Sequence, residues 1–96
     1  MHIVLWRYRT RPGCEAEFES AYGDSGLWAD FFRTDPGYLG TDLLRATDGR
    51  YLTMDRWVSA SAYEGFLRSH AERYAQIDAR CSALTAEETP LGSVEA

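Results

Sequence analysis

Three observations predict an α+β fold with an antiparallel sheet. Three segments are rich in the β-branched and aromatic residues of strands, and the stretches between them repeat apolar residues at helical steps of three and four. The second and third strand-like segments also flank an Asp-Gly turn, a strong hairpin signal. A chain of 96 residues, 45% hydrophobic and 26% charged, fits one globular domain, residues 1–96.

The first strand is residues 3–9 (Ile-Val-Leu-Trp-Arg-Tyr-Arg), which end before the turn-forming Pro12-Gly13. From Cys14, the residues Phe18, Ala21 and Tyr22 recur at helical spacing. Gly23-Asp24-Ser25-Gly26 interrupts them and offers Asp24 or Ser25 as a second N-cap, after which Leu27, Trp28, Phe31 and Phe32 continue to Asp35-Pro36-Gly37. One kinked helical arm is the simplest description. Residues 38–46 and 51–58 are the hairpin strands around Thr47-Asp48-Gly49-Arg50. Ser59 or Ser61 then opens a long helix, and Ser61 with Glu64 has the spacing of a capping box. Tyr63, Phe66, Leu67, His70, Tyr74, Ile77, Cys81 and Leu84 give it one apolar face for about six turns. The tail, 85–96, is a short last strand or a C-terminal arm.

The order strand, helix, strand, strand, helix, strand is the ferredoxin-like βαββαβ arrangement, with both helices on one face of the sheet. Residues 51–58 are apolar on both sides, with Leu52, Met54 and Val58 on one and Tyr51 and Trp57 on the other. A sheet apolar on both faces needs two covers, and a chain with so few helices finds the second in another copy of itself. A homodimer through the sheet face is expected.

Charge and motifs exclude much else. The net charge is −5, and all ten basic residues are Arg, so no nucleic-acid partner is expected. No apolar run approaches the length of a membrane span, and the N-terminus lacks the features of a signal peptide, so no membrane partner and a cytoplasmic location are expected. Cys14 and Cys81 form no CxxC pair, and with His2 and His70 they make a structural metal site improbable. Cys14 reads as an inert thiol. No glycine-rich phosphate motif, GxSxG, SxxK or HExxH is present, so no cofactor is expected.

Softer signals nominate a site. His70 falls on the apolar face of the long helix, either as a hydrogen-bonded core histidine or as a proton acceptor beside a pocket. Tyr74, one turn on, either packs or orients a phenolic or quinone substrate. These two are the candidate catalytic residues. Trp6, Tyr8, Trp28, Phe32, Trp57 and Phe66 are the candidate substrate-binding residues. The chain's 13 aromatic residues exceed what one small core readily absorbs, and the surplus is expected to line a dimer seam and a cavity suited to a flat apolar ligand. Arg7, Asp42, Arg45, Asp55 and Arg56 fall within strands and read as solvated neighbours or cross-strand pairs, or as charges that must be paired if they point into the dimer interface or the cavity.

Residues 11–19 (Arg-Pro-Gly-Cys-Glu-Ala-Glu-Phe-Glu), 36–45 (Pro-Gly-Tyr-Leu-Gly-Thr-Asp-Leu-Leu-Arg), 51–57 (Tyr-Leu-Thr-Met-Asp-Arg-Trp) and 62–66 (Ala-Tyr-Glu-Gly-Phe) carry a resemblance over almost the whole chain. The sequence resembles the antibiotic biosynthesis monooxygenase superfamily, small ferredoxin-like proteins that pair their sheets into a dimeric α+β barrel. The resemblance implies cofactor-independent oxygenation of anthrones, quinols or similar planar aromatic small molecules by dioxygen. Such chemistry needs a base, hydrogen bonds to a developing oxyanion and a dry aromatic pocket, roles open to His70, Tyr74, an Arg and the rings. A related branch degrades haem with an Asn, a helical Trp and a later His. This chain has no Asn, and Phe66 and Gln76 fall near the other two positions, so haem degradation is not expected. The missing Asn also leaves an alternative: a small-molecule-binding or structural dimer of the same fold without catalysis.

Overall fold

The computed structural model describes residues 1–96. Strand β1 (His2–Thr10) alternates as a half-buried strand should, with His2, Val4 and Tyr8 buried and Arg7 and Arg9 exposed. The kinked arm is two helices, α1 (Glu15–Tyr22) and α2 (Leu27–Phe32). Gly26 sets the junction, because a Cβ there would stand 2.3 Å from the Ser20 carbonyl oxygen. Neither Asp24 nor Ser25 caps α2; its N-cap is Gly26, with no side-chain hydrogen bond. Asp24 instead lies 3.6 Å from the Arg33 guanidinium.

Strands β2 (Tyr38–Arg45) and β3 (Tyr51–Trp57) form the expected hairpin, with Gly49 at φ +91° in the turn. Ser59 caps α3 (Ala60–Ser69) by accepting the Ala62 N–H at 3.1 Å, while the Ser61–Glu64 capping box does not form. The single long helix expected from the sequence is two helices. After α3 the chain turns at His70 (φ −125°, ψ 27°) and resumes as α4 (Ala71–Cys81). The His70 ring folds back, with Nδ1 3.1 Å from the Phe66 carbonyl oxygen, the acceptor its own backbone N–H uses. A short 3-10 turn leads into β4 (Thr85–Glu95), so the tail is a strand paired with β1.

The sheet order β2-β3-β1-β4, antiparallel throughout, is the ferredoxin-like topology. Register and alternation assign its two faces. Rows Tyr38–Trp57–His2, Thr41–Asp55–Val4 and Leu43–Thr53–Trp6 lie under the helices. Rows Asp42–Met54–Leu5 and Leu44–Leu52–Arg7 lie on the opposite, open face, with Ile3, Arg56 and Val94. All 13 rings sit in, or packed against, the core on the helical side. The expectation that surplus rings line a dimer seam is therefore corrected: the open face carries aliphatic residues and the Asp42–Arg56 ion pair. No helix is long and apolar enough to cross a membrane.

Candidate active site

Between the helices and the sheet lies a narrow cavity of about 40 Å3 that opens to solvent at its mouth. Every helix and every strand but β2 contributes to it. β1 supplies Trp6 and Tyr8, β3 Thr53 and Asp55, α1 Tyr22, and α2 Trp28 and Phe32. Tyr63 comes from α3, Tyr74 and Asp78 from α4, and Glu88 from β4. Seven rings thus surround a few polar groups, the composition of a small-molecule site. The rings brace one another: Trp28 and Tyr74 have centroids 4.9 Å apart, as do Tyr8 and Tyr22.

A bulge in β2 shapes the polar end. The register slips between Tyr38 and Gly40, and Gly40 adopts φ +136°, a region that favours glycine. A Cβ at Gly40 would stand 2.9 Å from Arg56 Nη2. The extra residue brings Tyr38 and Thr41, three apart, onto the same face. Thr41 donates from Oγ1 to Asp55 Oδ1 at 2.6 Å, and with its one proton so used it accepts from the Tyr38 hydroxyl at 2.5 Å. Asp55 has no cationic partner. Burial pushes its carboxyl up to about 6, against the opposing pull of the Thr41 hydrogen bond.

Burial raises the neighbouring phenols as well: Tyr74 to about 12, with Tyr8, Tyr22 and Tyr63 also above their ordinary value. Near neutral pH they are hydrogen-bond donors, never bases. Two further donors line the cavity without partners, the buried Trp28 Nε1 and Thr53 Oγ1. Buried donors left alone are costly, and a bound oxygen atom would satisfy them. No group of three His, Cys, Asp or Glu side chains comes together to hold a metal ion.

The structure separates the candidate residues into three groups. Trp6, Tyr8, Trp28, Phe32 and Tyr74 line the cavity. Trp57 and Phe66 are buried, with centroids 5.4 Å apart, in the packed core outside the lining. His70 stands at the junction of α3 and α4, exposed, its ring stacked on Phe66 at 4.4 Å, and does not reach the cavity. No Arg lines the cavity either. Of the strand charges, Arg7, Asp42 and Arg56 occupy the open face, and Arg45 packs over Tyr51 beside Glu19. Asp55 is the cavity's half-buried carboxyl, a site residue that the sequence does not single out from the other strand charges. The available signal was parity: Asp55 is the one charge in the series Tyr51, Thr53, Asp55, Trp57.

Comparison with known proteins agrees with this architecture. SnoaB, a cofactor-independent oxygenase from Streptomyces nogalater, superposes with a TM-score of 0.76 at 24% identity, over 99% of this chain and 91% of that one. ActVA-Orf6, a monooxygenase of Streptomyces coelicolor solved with the ligand nanaomycin D, gives 0.70 at 19% identity, over 99% and 88%. Rv0793 from Mycobacterium tuberculosis gives 0.65 at 20% identity, over 99% and 96%. These likenesses establish the shared fold. No curated protein matches the sequence. The model of the antibiotic biosynthesis monooxygenase family matches residues 1–76, and the chain belongs to that family.

Proposed function

We propose that the chain is a cofactor-free oxygenase that converts a planar quinol or anthrone-like molecule with dioxygen, using Asp55 as the proton acceptor. The observation that carries this reading is a carboxyl with no cationic partner, raised to about 6, beside the rings of an aromatic cavity. A base titrating near the working pH is the most effective general base. Asp55 takes a proton from the substrate's acidic CH2, and the carbanion passes one electron to dioxygen. Superoxide and the substrate radical then join in a C–O bond, and the peroxide recovers the proton from Asp55. Loss of water leaves the ketone, so CH2 and O2 become C=O and H2O. The phenols of Tyr63 and Tyr74 remain protonated and supply hydrogen bonds to the developing oxyanion.

Oxygen-electrode assays with a panel of anthrones and quinols test this. The expected result is one O2 consumed per quinone formed, without released hydrogen peroxide. Absence of uptake over the whole panel overturns the oxygenase reading, and recovery of a bound but unchanged ligand points to a binding module.

We also infer that two copies meet through the open face, where Ile3, Leu5, Leu44, Leu52, Met54 and Val94 lie without a cover in the single chain. Patches of this kind mark interfaces. Sedimentation should give twice the 10.9 kDa chain mass at micromolar concentration, and Met54→Arg should give the single-chain mass without unfolding. A wild-type monomer at that concentration refutes the dimer.

A further inference from the structure

We propose that the cavity selects its ligand by charge: it rejects flat molecules bearing a carboxylate and binds most tightly one that places a protonated amino group at the mouth. The proposal rests on reading this cavity as the substrate site and adds the substrate's chemical class.

The lining holds three carboxyl groups, Asp55, Asp78 and Glu88, and no Arg or His. The arginines with carboxylate partners are engaged elsewhere, Arg33 with Asp24 and Asp30, Arg45 with Glu19, Arg50 with Asp48, Arg56 with Asp42 and Arg9 with Glu87. Asp78 and Glu88 are exposed and therefore mark the mouth, and neither is in an ion pair. Glu88 receives only neutral donors, the Tyr22 hydroxyl at 3.5 Å and the Thr85 hydroxyl at 3.3 Å. A cation entering here meets two carboxylates that have no ion-pair partner, which is favourable. An anion meets like charge.

An independent observation points to a ligand in the same cavity. Trp28 Nε1 and Thr53 Oγ1 are buried donors without partners in the lining, Trp28 being 9% and Thr53 3% exposed. They call for a carbonyl, hydroxyl or ether oxygen. The ligand that suits both sets of groups has an acceptor oxygen for the buried donors and a cation, or at least no anion, toward the exposed carboxylates.

Three probes on one ring system test the proposal: a dihydroxyanthrone, its aminomethyl derivative and its carboxyl derivative. Binding is followed by tryptophan fluorescence under nitrogen, at neutral pH and low ionic strength, so that no turnover occurs. The amine should bind tightest and the acid weakest, with about tenfold between them. Salt should narrow the spread because the mouth charges are exposed. The Asp78→Asn/Glu88→Gln variant should remove most of it. Equal affinities, tightest binding of the acid, or a spread that survives salt and the double substitution overturns the proposal. Failure of every probe to bind overturns it together with the reading of the cavity. The expected order without oxygen uptake in air leaves it standing and removes the oxygenase reading alone.

Discussion

Asp55→Asn is expected to lower oxygenation by about 10²–10⁴-fold, the usual contribution of a general base, while making the folded chain more stable above about pH 6. The two effects share one cause. Asn is nearly isosteric, and its carbonyl oxygen can still accept the Thr41 hydroxyl now bonded to Asp55 Oδ1. The cavity therefore keeps its shape and loses its base. The stability gain follows from linkage. The Asp55 carboxyl titrates at 3.8 in the ordinary chain and near 6 when folded, so between those values the folded state holds the proton more tightly. Wild-type stability is thus favoured by this group below about pH 4 and declines as pH rises to about 6, by about 3 kcal/mol at most. Above that range the ionised carboxyl carries the full desolvation cost. Urea unfolding of both forms near pH 4 and near pH 7.5 measures it: the midpoints should converge in acid, and the variant should lead at the higher pH. A variant both inactive and less stable at the higher pH would make Asp55 a structural residue.

How much of this was legible in the sequence depended on which physical signal carried each feature. The strands, the hairpin and the element order come from periodicity and turn chemistry, and these are local. The break at His70 is not visible to periodicity, because the apolar residues keep steps of three and four across it; only the backbone turn, with the imidazole folded onto the Phe66 carbonyl, removes His70 from the face it was assigned. Asp55 was hidden for another reason. β3 is apolar on both sides, so the sequence could not say which parity the helices cover, and the role of Asp55 turns on that choice alone. Thr41 reaches it only through the bulge at Gly40, whose one-residue slip is absent from any strict alternation.

The rings illustrate the same ambiguity at the level of packing. Besides aromatic residues, the buried hydrophobic core holds only Val4, Ala29, Ile77 and Cys81. Aromatic side chains occupy the volume that aliphatic ones usually fill, and Ile3, Leu5, Leu52 and Met54 are left for the open face. An aromatic surplus thus produced a ring-built core and a cavity edged by rings, with an aliphatic face opposite.

Trp57→Ala should separate core rings from cavity rings. Trp57 is fully buried, with the rings of Phe32, Tyr38, Tyr63 and Phe66 at centroid distances of 5.6, 5.3, 5.5 and 5.4 Å. Its truncation leaves a void that four rigid neighbours cannot close, at a cost of about 3–5 kcal/mol. Against the ~5–15 kcal/mol of a typical domain, that is a large share of all its stability. The indole N–H has no partner, so its loss returns part of that cost and favours the lower end of the range. Trp6→Ala is the contrasting case, because Trp6 lines the cavity and is only partly buried. It should unfold close to wild type and bind the anthrone probes more weakly. Denaturant unfolding and fluorescence titration of the two variants decide the matter: a Trp57→Ala chain that kept wild-type stability and lost only ligand binding would put Trp57 among the substrate-contacting rings and enlarge the site toward α3.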